Sequence, residues 1–364
     1  MAEFKRLISL DAFRGFTIAA MIMVNNPATW AHIYPPLEHA RWNGLTPTDL
    51  IFPFFIFIVG VSIALAYTKR LNAGVAKGPM YRKIVFRSIK IFAVGILLWL
   101  FPSFSFEDVR IAGVLQRIAI VFLACAFLFL NSKWKTQAIV AGALLVIYWL
   151  VMMFIPTPGY GKVMLEPGAN IAAWIDNKFL PGYLWQKTWD PEGLLSTLPA
   201  IATGITGMLA GHLVLSKLPA ERKVIYLFAF SFFAFIIGYF WNYIFPINKN
   251  IWTSSFVLVT SGLAGMVLAV SIFFVDMLGR TRLTKPGIIF GSNAIAVYVL
   301  ADVWRLPFYS WKIGGSSLNN HWMGMFENAG WSLEMGSFLY AALFIGFNFI
   351  PAWILYKKKI FIKL

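Results

Sequence analysis

The sequence predicts an all-α, polytopic membrane protein of about ten transmembrane helices with both termini cytoplasmic. Three observations support this. Of 364 residues, 59% are hydrophobic and 13% charged, with a mean hydropathy of +0.72, outside what a soluble globular domain carries. Ten stretches approach the roughly 20 apolar residues that a helix needs to cross a bilayer. Basic residues fall in alternate connections between those stretches, as they do in cytoplasmic loops. A net charge of +16 spread in this way reports membrane orientation, and no nucleic-acid partner is expected.

The spans lie near 13–31, 48–68, 84–102, 110–131, 137–155, 193–215, 223–245, 252–277, 286–304 and 336–357. The ninth is interrupted by Asn293, Asp302 and Arg305. One set of alternate connections, with both chain ends, collects 21 of the 31 basic residues, among them Arg14, Lys69, Arg70, Lys217, Arg280 and Lys357. The opposite face holds the longer connections, roughly 32–47, 156–192 and 305–335. Loops of that length usually serve a purpose. Within the second, "NIAAWIDNKFLPGYLW" suits either a short amphipathic helix at the membrane interface or a loop resting on it.

The chain reads as one transmembrane domain, residues 1–364, without internal repeats. The start, "MAEFKRLISLDAFRG", lacks a short apolar core followed by a small-residue cleavage site, so no removable signal peptide is expected. A single cysteine, Cys125, excludes an intrachain disulfide or a cysteine metal site. Gly204, Gly207 and Gly211 recur at intervals suited to close helix packing. Lipid-facing Leu, Ile and Phe leave both a monomer and a homodimer open.

Ionisable groups in or beside membrane helices are costly, and each is therefore a candidate for function. Asn25 and Asn26 close the first span before Pro27. Thr46, Pro47 and Asp49 have the pattern of a helix start, with Asp49 reaching back as a capping acid. His39 has no place in that scheme; flanked by Trp42 and Asn43 and followed by membrane, it is either a solvated loop histidine or a half-buried catalytic one. His32, His212 and His321 have no comparable setting. Arg110 and Arg117, seven apart, share one face of the fourth span, and the deeper Arg117 needs an acidic or phosphate partner. Asp190 before Pro191 fits a helix N-cap, and Glu192 either favours the helix dipole or pairs with Arg117. Asn248 and Lys249, in "PINKNIWTSSF", and Asn293, in "FGSNAIAVY", complete an expected polar cavity on the non-cytoplasmic side.

In order, "DAFRG", "VNN", "HARWNGLTPTDLIFPFFIFIVG", "VRIAGVLQR", "DPEGLLST", "NKNIWTSSF" and "GSNAIAVYV" resemble the heparan-α-glucosaminide N-acetyltransferase family and its bacterial relatives of the NagX type. The likeness runs from about residue 8 to 304. It implies a membrane acyltransferase of the bacterial cytoplasmic (inner) membrane that takes acetyl from cytoplasmic acetyl-CoA. The acceptor is the amine of a glucosamine-type sugar at the other face, and no metal is implied. It also implies that His39 is catalytic with Asn25 beside it. The chain departs from the lysosomal members in reading "NNPATWAHIYPP" where they are glycine-rich. It lacks their large lumenal domain, so a bacterial amino sugar or oligosaccharide is the expected acceptor.

An amine attacking a thioester needs a base and a donor for the developing oxyanion. His39 acts either as that base or as a nucleophile that carries the acetyl group. Asn25 steadies the oxyanion or the histidine; Asp49, Asp190 or Glu192 orients the imidazole or binds the sugar ammonium; and Arg117 supports the site through Glu192. The competing reading is a secondary transporter of a sugar or organic anion, which would also place polar groups in the membrane.

Overall fold

The computed structural model describes residues 7–101 and 104–362. Thirteen α-helices are present among them. They are α1 (Ile8–Asn25), α2 (Ile51–Asn72), α3 (Lys77–Leu100), α4 (Val114–Asn131), α5 (Trp134–Phe154), α6 (Ile171–Phe179) and α7 (Thr197–Leu215). Then follow α8 (Ala220–Trp241), α9 (Ser254–Ser271), α10 (Lys285–Ser292), α11 (Ala294–Arg305), α12 (Leu318–Asn328) and α13 (Leu333–Lys357). A two-stranded hairpin over 312–317 is the only sheet among the described residues.

Among the described residues, eight helices are long and apolar enough to cross a membrane, and α10 with α11, bent by 82° at Asn293, would make a ninth. The third expected span is also helical, 24 residues in α3. It carries Lys77, Arg82, Lys83, Arg87 and Lys90 and so falls outside the apolar set. Four helix starts differ from expectation by four residues or more, among them that of α3, which begins at Lys77 and not at 84. The first span is α1, beginning at Ile8 and ending at Asn25, because Asn26 precedes Pro27 and leaves the helical region (φ −134°, ψ 52°). The fourth begins at Val114, after the extended Gly113. The seventh helix, expected from 193, begins at Thr197, since 190–196 form turns.

The helices divide between two compact units. One comprises residues 40–45 and 53–273; the other comprises 7–39, 46–52 and 274–362.

In the first unit, α2 and α7 meet backbone to backbone. A Cβ on Gly60 would lie 1.9 Å from the Gly204 carbonyl oxygen, and one on Gly207 would lie 2.0 Å from that of Phe57. The glycine spacing of the sixth expected span is thus a packing device, as anticipated. Thr206 Oγ1 and Ser261 Oγ, 2.8 Å apart, tie α7 to α9. Ser254 Oγ donates to Leu145 O at 2.7 Å, and Tyr148 OH donates to Ile251 O.

In the second unit, α1 packs on α10, where a Cβ on Gly15 would lie 1.7 Å from the Gly287 carbonyl oxygen. The N-terminus of α1 has no cap of its own. Asp276, at the end of a π-helical turn (Ile272–Met277), supplies one, accepting from Ile8 N at 2.9 Å and Ser9 N at 3.3 Å. This satisfies two of the amides that a helix start leaves unpaired.

Candidate active site

In the second unit, the chain after α1 turns through a short 3₁₀ helix (Pro35–Leu37) to His39. It then enters a second one (Pro47–Leu50) that feeds α2. The helix start is as expected: Asp49 Oδ2 accepts from Thr46 N at 3.0 Å, with Thr46 Oγ1 also 3.0 Å away. The same hydroxyl lies 2.7 Å from Glu38 O and so shares its proton between the two oxygens. Asp49 Oδ1 is left for His39, whose Nδ1 stands 2.7 Å from it. Asp49 is fully buried, whereas the imidazole is 43% exposed. A buried carboxylate on Nδ1 selects the tautomer with Nδ1–H and places the lone pair on Nε2. The same carboxylate stabilises the imidazolium that forms when Nε2 takes a proton.

In the first unit, Arg110 lies in the segment before α4, where it makes an isolated β-bridge with Gly182, and not on the helix with Arg117. Its Nε donates to Asp190 Oδ2 at 2.8 Å. Its Nη2 donates to Asp190 Oδ1 and to Glu192 Oε2, both at 2.6 Å. Trp185 covers the guanidinium at 4.9 Å. Burial works against the charge of Arg110, but the hydrogen bonds and charges of Asp190 and Glu192 outweigh it and raise its pKa. Asp190 is therefore not a helix N-cap. Its two oxygens also accept from Trp185 N (3.1 Å) and Glu192 N (2.9 Å), so its acceptor sites are filled from within the unit.

Glu192 is the hydrogen-bonded partner of Arg110 and not of Arg117. Arg117 is 1% exposed, and its Nη2 donates to Ser196 Oγ at 2.5 Å and Gly193 O at 3.2 Å. The ring of Trp252 faces its guanidinium carbon at 5.1 Å. Beneath the turn lies a residue that the sequence reading missed. Asp176, on α6 and 3% exposed, accepts from Leu194 N at 2.9 Å and Asp190 N at 3.3 Å. Burial pushes its carboxyl up to about 6, against the opposing effect of those two bonds. Of the two readings of "NIAAWIDNKFLPGYLW", helix or loop, the helix is present over Ile171–Phe179, and Asp176 sits three and four residues after the buried Ala173 and Ala172. An acid in the apolar stripe was the available signal.

The six residues after His39 belong to the first unit. Trp42 Nε1 donates to Leu165 O at 3.1 Å and Gly44 N to Ile247 O at 2.8 Å. The buried Asn248 donates from Nδ2 to Asn43 Oδ1 at 3.1 Å. Lys249 lies partly buried in the same turn. Back in the second unit, Asn25 is the last, half-buried residue of α1. Asn26 caps that end, with Nδ2 donating to Ile22 O at 2.7 Å. Asn293 is placed elsewhere than the expected polar cavity. Its amide donates to Ile360 O at 3.0 Å and accepts from Ile362 N at 2.8 Å. It is near the start of α1, where Arg14 Nε reaches Gly291 O at 2.9 Å. About 16 Å of helix separates Arg14 from Asn25. Of the other histidines, His32 faces Glu334, His212 faces Gln137 and His321 faces Ile313 O.

A mostly helical membrane protein with a carboxylate-oriented imidazole and a buried arginine–carboxylate network has the make-up of a polytopic membrane enzyme. The family model described as heparan-alpha-glucosaminide N-acetyltransferase, catalytic, matches residues 6–238, a segment that contains His39, Asp49, Arg110, Arg117, Asp190 and Glu192. The chain belongs to that family. It is 29% identical to the heparan-alpha-glucosaminide N-acetyltransferase of Homo sapiens over 420 residues, and 28% identical to that of Mus musculus over 419. Each comparison covers 99% of this chain and 60% of the relative, so the chain spans about 60% of the length of these relatives.

Proposed function

We propose that the protein is a membrane N-acetyltransferase that moves acetyl from acetyl-CoA to the amine of a glucosamine-type sugar. The observation that carries this reading is the His39–Asp49 pair, within the segment matched by the family model. The attacking amine carries a proton that must leave as the C–N bond forms and the C–S bond of the thioester breaks. His39 Nε2 takes that proton and returns it to the departing CoA thiolate, which leaves as the thiol. Asp49, locked by Thr46, holds the ring through Nδ1 and balances the imidazolium. Asn25 is the proposed donor to the oxyanion on the acetyl carbonyl. The distribution of basic residues supports a cytoplasmic side for both termini and for acetyl-CoA. The acceptor is then met at the other face of the bacterial cytoplasmic membrane.

The test is acetyl transfer from labelled acetyl-CoA to glucosamine and short amino-sugar oligomers by detergent-purified protein. His39→Ala is expected to lose at least about 100-fold in kcat, the lower end of what a positioned base contributes. Asp49→Asn presents an amide to Nδ1 and is expected to lose a similar factor. A folded His39→Ala protein with full activity would refute the assignment. Counterflow of the sugar without acetylation would instead favour a transporter.

A further inference from the structure

Arg117 carries five N–H donors, and the two bonds described above occupy Nη2 alone. Nε and Nη1 are buried and, among the described residues, meet no hydrogen-bond partner. They flank the bonded nitrogen, so their hydrogens point in two directions within the guanidinium plane. The guanidinium carbon lies over the indole ring of Trp252, 5.1 Å from its centroid. Trp252 itself has a φ of +52°, a left-handed backbone that a bulky side chain rarely adopts, and its Nε1 donates to Thr203 Oγ1 at 3.1 Å. Strain of that kind persists where surrounding structure holds it, and it concentrates at ligand clamps. Buried charged donors without acceptors are costlier than neutral ones.

The charges nearby decide what class of acceptor fits. Asp176, Asp190 and Glu192 all lie within Coulombic range of Arg117. Those three carboxylates face two guanidinium groups, Arg110 and Arg117, so the ionised cluster already has an excess negative charge. A further anion is repelled, whereas a neutral hydroxyl or carbonyl oxygen gains a charge-assisted bond without that penalty.

We infer that Arg117 is a substrate-oxygen site, with Nε–H and Nη1–H binding neutral oxygen atoms of a ligand. This rests on the proposed acetyltransferase reading, which supplies two sources of such oxygens, the hydroxyls of the acceptor sugar and the acyl carbonyl of the donor. The experiment is calorimetric titration of the full-length protein in detergent with glucosamine and, separately, with acetyl-CoA. Wild type is compared with Arg117→Lys and with Arg117→Ala in the absence and presence of guanidinium ion. Affinity for one ligand is expected to fall about 10- to 100-fold in Arg117→Ala, the range for one hydrogen bond to a charged group. Part of it should return with guanidinium, and affinity for the other ligand should be unchanged. Loss on the glucosamine arm identifies a hydroxyl, and loss on the acetyl-CoA arm identifies the carbonyl. Should Arg117→Ala not fold, Arg117→Lys reads the same difference. Wild-type affinity for both ligands in a folded variant would mean that the donors serve buried water only and would overturn the inference. Equal loss on both arms with a lowered melting temperature would overturn it in favour of a packing role. Failure of the wild type to bind either ligand would instead remove the acetyltransferase reading, and the inference with it.

Discussion

Gly193→Ala tests whether the turn at 190–194 is locked onto Asp176. A Cβ at position 193 would lie 2.0 Å from Asp176 Oδ2 and 2.4 Å from both Cγ and Oδ1. Nothing but the carboxylate can yield, and it is held by Leu194 N and Asp190 N. Expelling it removes two hydrogen bonds to a charged group at about 1.5–3 kcal/mol each, so the substitution should cost about 3–6 kcal/mol. That is a large part of a typical folding free energy of about 5–15 kcal/mol. The assay is unfolding of detergent-solubilised protein followed by tryptophan fluorescence, run as a double-mutant cycle with Asp176→Ala. In the Asp176→Ala background the three closest atoms are gone, and Gly193→Ala should cost clearly less than in wild type. Equal costs in the two backgrounds would refute the proposed lock.

The carboxyl of Asp176 has a folded-state pKa of about 6 against an ordinary 3.8. The stability associated with it should therefore be greatest below about pH 4, fall as pH rises through 4 to 6, and level off above; melting curves should show that slope flattened in Asp176→Asn. Arg110→Met leaves Asp190 and Glu192 as uncompensated, largely buried charges, and should lower stability by about 3–5 kcal/mol, read from denaturant unfolding. Asn293→Ala frees the backbone at Ile360 and Ile362 and should speed trimming of the C-terminus by carboxypeptidase, with no change in the binding of either proposed substrate.

Most of the helix inventory was legible because apolar run length is a strong signal in membrane proteins. Charge patterns leave pairing open. Asp49 fits both the cap of the second span and one of three acids that could orient His39, and the sequence does not choose between these roles. A carboxylate has two oxygens, and here one caps while the other holds the imidazole. Glu192 is available to Arg117 by sequence, yet Arg110 sits outside helix α4 and takes both acids. That outcome depends on the bridge between Arg110 and Gly182, a pairing across 72 positions that no local pattern encodes. Asn293, read as part of a cavity, is occupied by the C-terminal backbone, another contact set by tertiary structure alone.

The cap that Asp276 places on Ile8 and Ser9 has a consequence for biosynthesis. The unit that holds α1 is completed by residues 274–362. Between the emergence of its early portion and of residue 274, the ribosome must deliver 53–273, on the order of 10 to 45 s at ordinary elongation rates. For that interval the first helix has neither its terminal carboxylate nor its glycine-lined neighbour α10. Truncation before residue 276 should therefore leave a nascent chain whose first membrane helix is made but unsatisfied, a natural substrate for insertion chaperones and quality-control proteases.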